Sequence, residues 1–185
     1  MKFLSAKYMP DRRTCEMDFD STITAFNKTI GQLSFEYVDL YLLHIPGFTD
    51  AQLKKCMFNS QNFDSKLTNK IRRREVWRAM ETLYDEGRVH ALGVSNFSPE
   101  HLDDILEVAR ILLVINQVEF NPFYHNEDWW THNMANGVLL TSFSSVRVFL
   151  NEDPRSPRMK IFQNLRKSIR ELPFKYSCDG LLNVR

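Results

Sequence analysis

The sequence contains none of the features that define several large classes of protein. No apolar run approaches the roughly 20 residues of a membrane span. A net charge of +1 gives no field that favours nucleic acid or a membrane surface. The apolar stretch at the N-terminus is interrupted by Lys7, so it does not predict a signal peptide. The three cysteines are far apart and form no C-x-x-C pair, which is typical of reduced thiols in a cytoplasmic protein.

Motifs for metals and for nucleotide phosphates are absent too. The five histidines form no i, i+4 pair on a predicted helix, and a structural metal site needs about four ligands, so we expect no metal. The glycine-rich turn G-x-G-x-x-G and the P-loop are both missing. What is present is a globular composition, 43% hydrophobic and 25% charged, with enough apolar material for one sizeable core.

Segments typical of strands and of helices alternate along the chain. We predict strands at residues 2–8, 37–45, 89–97, 112–120 and 138–146, and helices at 21–33, 74–87, 98–109 and 127–137. Ser21 and Ser98 are the expected N-caps, and residues 47–70 are expected to form a long loop. This order predicts βαβ units and a parallel sheet, and both a doubly wound sheet and a TIM barrel fit it.

The last part of the chain has a different character. Residues 147–185 are basic and contain three prolines. We predict that residues 1–146 form the α/β unit and that 147–185 form a divergent C-terminal segment. A helix is expected at about 158–172, ended by Pro173.

Polar side chains collect where the predicted strands end. Alternation along the second strand puts Leu40, Leu42 and His44 on one face, which would point inward in a barrel. The polar residues near the ends of the other strands are Lys7, Ser95, Asn96, Gln117 and Ser142 to Ser144. In either α/β architecture such residues are site candidates, although ordinary polar strand ends give the same pattern.

Three segments together point to a known family. YVDLYLLHIP, ETLYDEGRVHALGVSNFSPEHLDDIL and INQVEFNP closely resemble the aldo-keto reductase family in sequence, order and spacing. The resemblance extends from about Phe3 to Val146. It implies an α/β fold, a (β/α)8 TIM barrel, of which this sequence covers about five parallel strands with alternating helices. It also implies reduction of aldehydes and ketones with NADPH.

The resemblance assigns two catalytic roles. His44, in LLHIP, matches the histidine that orients the carbonyl group, and Lys7, in FLSAKY, matches a lysine that tunes the proton-donating tyrosine. A nearby ammonium favours the phenolate and so lowers the pKa of a tyrosine, and a neutral imidazole fixes the carbonyl by hydrogen bonding.

The resemblance also assigns residues to the cofactor. Ser95 and Asn96, in GVSNF, match the pair that holds the nicotinamide carboxamide, and Gln117, in NQVEF, matches its third partner. Phe143 stands where the family usually has a tyrosine stacked on the nicotinamide ring, and Ser144, which follows it, is also assigned to cofactor binding. Phenylalanine keeps the aromatic face for stacking.

Other family features have no counterpart in the sequence. They are the first two strands, the aspartate and the tyrosine that donates the proton. Tyr8 is not expected to replace that tyrosine, because it is adjacent to Lys7 on a strand and should point away from the site. Two readings remain open: a reductase acting on a small carbonyl substrate, or a catalytically inactive, truncated family member that acts as a binding fragment or has no selected function. A sheet of five strands would leave two edges exposed, which favours self-association.

Overall fold

The computed structural model describes residues 3–56, 64–121, 124–145, 155–157, 159–161 and 163–164. It contains five parallel strands, β1 (Ser5–Tyr8), β2 (Leu40–Leu43), β3 (Leu92–Ser95), β4 (Leu113–Glu119) and β5 (Leu139–Phe143). The helices are α1 (Phe19–Leu33), α2 (Asp50–Cys56), α3 (Ser65–Asp85), α4 (Pro99–Leu106) and α5 (Glu127–Ala135). The strands lie in chain order across one sheet, and a helical connection joins each strand to the next, as parallel neighbours require.

The sheet is open. Among the described strands, β1 pairs only with β2, and β5 pairs only with β4. A closed barrel has no such edges. The prediction of about five parallel strands in an incomplete barrel is therefore confirmed.

The helices pack against one face of the sheet, where they form the apolar core. Tyr41 and Leu43 lie in this core, and the ring of Phe26 meets Tyr41 edge-on, with 5.1 Å between the ring centroids. Leu42 projects from the other face, where its side chain closes over Gly93. The alternation predicted for β2 is therefore confirmed: Tyr41 and Leu43 face the helices, and Leu42 faces away from them.

The predicted N-caps have different outcomes. Ser98 caps α4 and Pro99 is its first residue, as predicted. α1 begins after Asp18 instead of Ser21, because the Asp18 carboxylate accepts a hydrogen bond from the Ser21 backbone N–H at 2.8 Å. The Ser21 hydroxyl accepts from the Asp18 backbone N–H in return. The two residues form a capping box, in which Ser21 is the third helical residue and not the cap.

The predicted long loop at residues 47–70 is wrong. It contains α2, and α3 begins at Ser65, well before the predicted start. The early turns of α3 lack a clear apolar stripe because Asn69 and Arg73, which lie on its inner side, are polar and bind backbone groups. Apolar periodicity therefore gives no sign of a helix there.

Cys15 and Cys56 form a disulfide, so the prediction of reduced thiols is wrong. The chain after β1 folds back toward the end of α2 and brings the two Cα atoms to 6.0 Å, which is within the range for a disulfide. Spacing in the sequence does not reveal this contact. Because two of the three cysteines are paired, they no longer support the predicted cytoplasmic location.

Reduction of this disulfide is expected to destabilise the chain. The bond closes a loop across 41 residues of sequence, which corresponds to at most roughly 4 kcal/mol of unfolding free energy in the chain-entropy description. Thermal melting with and without dithiothreitol measures the effect. Cys15→Ser is the control, since the reductant should not shift its melting temperature further. Three reactive thiols in the unfolded, unreduced protein would contradict the pairing.

The chain divides into two compact units. The first comprises Met1–Phe120 and Tyr124–Phe143, and the second comprises Asn121–Phe123 and Ser144–Arg185. The predicted boundary after residue 146 stays a prediction, and most of the helix predicted at 158–172 lies outside the described residues. In the described part of the chain, no helix has the length and apolar character needed to cross a membrane.

Candidate active site

The predicted site residues of the first unit meet at the carboxyl end of the sheet, which we call the rim. They are Lys7 on β1, His44 after β2, Ser95 and Asn96 at the end of β3, Gln117 on β4 and Phe143 on β5. Parallel strands place their carboxyl ends side by side, so residues far apart in the sequence become neighbours. The contacts below show which of these side chains touch.

Lys7 lies at the centre of the rim contacts. Its ammonium donates a hydrogen bond to Gln117 Oε1 across 110 residues of sequence. The same ammonium lies 5.8 Å from the centre of the Phe143 ring, within the range of a cation–π contact. Burial lowers the pKa of Lys7 below its usual value. Lys7 thus connects β1 with β4 and β5 across the face of the sheet that lies opposite the helices.

Ser95 and Asn96 fix the end of β3 to β4. The Ser95 hydroxyl and the Asn96 backbone N–H both donate to the carbonyl of Gln117, at 2.7 Å and 3.0 Å. Asn96 has a φ of 62°, in the left-handed region that asparagine tolerates better than most residues. This turn brings the Asn96 side chain back to the rim, where Nδ2 donates to the His44 carbonyl at 2.9 Å.

His44 stands one residue beyond the end of β2 and is half-buried. Its backbone N–H donates to the Tyr8 carbonyl at 3.0 Å. Burial, together with the positive charges of Lys7 and Arg12, lowers the pKa of the imidazole below its usual value. A lowered pKa keeps the ring neutral near pH 7, which is the form that donates one hydrogen bond and accepts another.

Tyr8 does not face the rim. Tyr8 points into the helix-side core, where its hydroxyl pairs with Ser21 Oγ at 2.9 Å, and burial raises its pKa. The expectation that Tyr8 faces away from the site is therefore confirmed. Ser144 has a φ of 57° and begins the second unit, so its predicted cofactor role stays a prediction.

Sequence reasoning missed a buried amide that supports the rim. The side chain of Asn116 is fully buried, and its Nδ2 donates to the Phe97 carbonyl at 2.9 Å. Its Oδ1 accepts from the Phe97 N–H at 3.4 Å. This pairing fixes the backbone immediately after Asn96. The signal in the sequence that could have revealed this residue is an asparagine at a position of β4 that faces the core.

Arg12 was not predicted to act at the rim, but its positive charge helps to lower the pKa of His44. It lies in the connection between β1 and α1, where charged residues are ordinary. Within the described ranges, no three His, Cys, Asp or Glu side chains lie close enough together to hold a metal ion.

Comparison with known proteins decides the family. The model of the Aldo/keto reductase family matches residues 2–181, almost the whole chain. The chain belongs to the aldo/keto reductase family. Its five parallel strands and their helices therefore correspond to part of the family's barrel, and the resemblance drawn from the three sequence segments is confirmed.

Curated relatives support the assignment and give its extent. The chain is 37% identical over 176 residues to the NADPH-dependent alpha-keto amide reductase of Saccharomyces cerevisiae, covering 94% of this chain and 49% of that protein. It is 32% identical over 131 residues to the glyoxal reductase of Bacillus subtilis, covering 71% of this chain and 40% of that protein. The chain thus spans between two fifths and one half of these two relatives.

Solved structures agree on the fold. An aldo-keto reductase from a Medee basin deep-sea metagenome library aligns with a TM-score of 0.68 at 26% identity, covering 89% of this chain and 52% of that one. A Bombyx mori aldo-keto reductase in complex with NADP aligns with a TM-score of 0.64 at 22% identity, covering 89% of this chain and 51% of that one. Five parallel strands with their helices are therefore the shared part of the barrel.

Proposed function

We propose that this chain carries the nicotinamide-binding and carbonyl-orienting part of an NADP(H)-dependent reductase of aldehydes and ketones. The observation that carries the proposal is the meeting of Lys7, His44, Asn96 and Gln117 at one rim. The proposed catalytic residues are His44 and Lys7. The proposed cofactor-binding residues are Ser95, Asn96, Gln117, Phe143 and Ser144.

The chemistry of the rim amides fits a nicotinamide carboxamide. Asn96 uses its amide nitrogen to bind the His44 carbonyl, and Gln117 uses its amide oxygen to accept from Lys7. The other polar atoms of these side chains are an acceptor on Asn96 and a donor on Gln117. The NH2 group of a carboxamide needs an acceptor, and its carbonyl oxygen needs a donor. The Phe143 ring offers a face on which the nicotinamide ring can stack. These residues would hold NADP(H).

Bound NADPH would supply the hydride. The carbonyl oxygen would gain negative charge as the hydride reaches the carbon, and water at the open rim would then supply the proton that completes the alcohol. The residues of this chain would stabilise that charge. A neutral His44 imidazole donates a hydrogen bond to that oxygen and orients the carbonyl. The Lys7 ammonium adds positive charge at the same rim. Tyr8 takes no part, because its hydroxyl lies in the core with Ser21.

Cofactor binding tests the proposal directly. We expect the purified chain to bind NADPH saturably in a fluorescence titration. Gln117→Leu should weaken that binding by about tenfold, which is the value of one good hydrogen bond. Gln32→Leu is the matched control, because Gln32 is an exposed residue of α1. Absence of NADPH binding, or equal weakening by both variants, would overturn the cofactor assignment.

Turnover with nitrobenzaldehyde then tests the catalytic assignment. Oxidation of NADPH above the blank should disappear in His44→Ala while NADPH binding remains. Turnover that is unchanged in His44→Ala would refute the role of this residue.

We also propose that the chain associates through its exposed strand edges. Among the described strands, β1 and β5 each pair on one side only, and Leu139 on β5 is 59% exposed. Unpaired edges are ready templates for another strand. Sedimentation velocity should show a dimer or larger species that Leu139→Lys reduces. A clean, folded monomer at all concentrations would reject this association.

A further inference from the structure

The segment that follows His44 is held by helix α3. Phe48 and Asn69 form a reciprocal pair: the Phe48 backbone N–H donates to Asn69 Oδ1 at 3.0 Å, and Asn69 Nδ2 donates to the Phe48 carbonyl at 2.8 Å. A side-chain amide thus satisfies both backbone groups of one residue, as a neighbouring strand would. The pair fixes the chain four residues after His44.

Arg73 holds the same segment at a second point, one helical turn further along α3. Its Nη1 donates to the Pro46 carbonyl at 2.6 Å. Its Nη2 forms an ion pair with the carboxylate of Asp104 on α4, and both side chains are buried. Lys70 lies 2.9 Å from the same carboxylate. The guanidinium is therefore fixed on α4 while it binds the segment, a two-pronged arrangement that lysine cannot reproduce.

Gly47 completes the contact between the segment and α3. A Cβ at this position would lie 2.5 Å from Asn69 Cγ. Any side chain at position 47 would therefore push Asn69 away. The close approach of the segment to α3 depends on a glycine between Pro46 and Phe48.

We propose that Asn69 and Arg73 are positioning residues that set the place of His44 at the rim. The proposal rests on the proposed role of His44 in orienting the carbonyl. His44 lies one residue beyond β2, and the hydrogen bond from its backbone N–H to the Tyr8 carbonyl is the last one between β1 and the chain after β2. Its own backbone bonds go to Tyr8 and Asn96, and the next fixed points along the chain are Pro46 and Phe48. Loss of the hydrogen bonds from Arg73 to Pro46 and between Asn69 and Phe48 would free the segment that follows His44, so the imidazole could shift. A shift of about 1 Å in a positioned group can cost roughly 100-fold in rate.

Nuclear magnetic resonance of the histidine rings tests this proposal without requiring activity. In the wild-type chain, the resonances of His44, assigned with His44→Ala, should report an imidazole with a lowered pKa, because it is half-buried and lies near the positive charges of Lys7 and Arg12. In Asn69→Ala and in Gly47→Ala, the His44 resonances should shift and its pKa should rise toward the ordinary value. Arg73→Met should do the same, and Arg73→Lys should restore the wild-type position only in part.

Two controls separate positioning from general loss of structure. Lys66→Met removes an exposed ion pair between α3 and Glu100 but does not touch the segment, so His44 should keep its wild-type resonances. His90, beside Asp39 at the opposite end of the sheet, is the internal reference that should not move in any variant.

The outcomes are decisive in both directions. A shift confined to His44 supports the positioning role. Unchanged His44 resonances in the folded Asn69→Ala and Gly47→Ala variants would overturn it, as would equal shifts of His44 and His90. If Arg73→Met does not fold, the two milder variants still decide. Failure to bind NADPH would remove the proposed function and leave this result intact.

Discussion

Glu81→Ala is expected to lower the free energy of unfolding by about 3–5 kcal/mol, since a single buried carboxylate supports several donors. Glu81 lies on α3 and is 6% exposed. Its Oε1 accepts hydrogen bonds from the backbone N–H groups of Arg110 and Ile111, at 2.6 Å and 2.8 Å, and from Trp77 Nε1 at 3.1 Å. Alanine would leave these donors without their acceptor. The connection from α4 to β4 would lose its anchor on α3.

Glu81→Gln is the matched variant for this prediction. Glutamine keeps an amide oxygen that can accept the same hydrogen bonds but removes the charge, so the loss should be about 1 kcal/mol. Urea denaturation followed by circular dichroism measures both variants. Equal losses for alanine and glutamine would show that the charge, and not the acceptor, stabilises this connection.

The rim was predictable because side chains in a strand alternate with a period of two. Lys7, His44 and Ser95 each lie near the end of an apolar strand, and the parallel arrangement then places them at one edge. Resemblance added their roles, which alternation alone could not supply. Nothing in the strand pattern indicated that Lys7 bonds to Gln117, because β1 and β4 are not neighbours in the sheet and two long side chains make the contact.

The features that were missed depend on contacts between distant segments. Asn69 and Arg73 make the start of α3 polar on its inner side, so apolar periodicity predicts a loop where the chain forms a helix. The bond between Cys15 and Cys56 depends on how the connection after β1 folds. Glu81 has the pattern of an ordinary charged helix residue, and its role exists only because residues 110 and 111 return to it. A single sequence carries no local signal for such pairings.

Gly93→Ala and Gly31→Ala are expected to change stability in opposite directions. On β3, a Cβ at Gly93 would lie 2.6 Å from Ile115 Cγ2, 2.6 Å from Leu42 Cδ2 and 2.7 Å from the Ile115 carbonyl oxygen. Because one of these atoms is backbone, β3 and β4 must shift, at a cost of about 1–3 kcal/mol or more. On α1, a Cβ added at Gly31 would meet no heavy atom within 4 Å, and alanine there should stabilise by about 0.5–1 kcal/mol.

The Gly93 substitution should also reach the rim. Ser95 lies two residues further along the same strand, and its hydroxyl binds the Gln117 carbonyl on β4 at 2.7 Å. A shift between β3 and β4 lengthens that bond, so Gly93→Ala should weaken NADPH binding, whereas Gly31→Ala should not. Urea midpoints and the fluorescence titration measure the two effects. A stable Gly93→Ala chain with wild-type NADPH affinity would contradict this prediction, because it would mean that the sheet has room for a Cβ between Leu42 and Ile115.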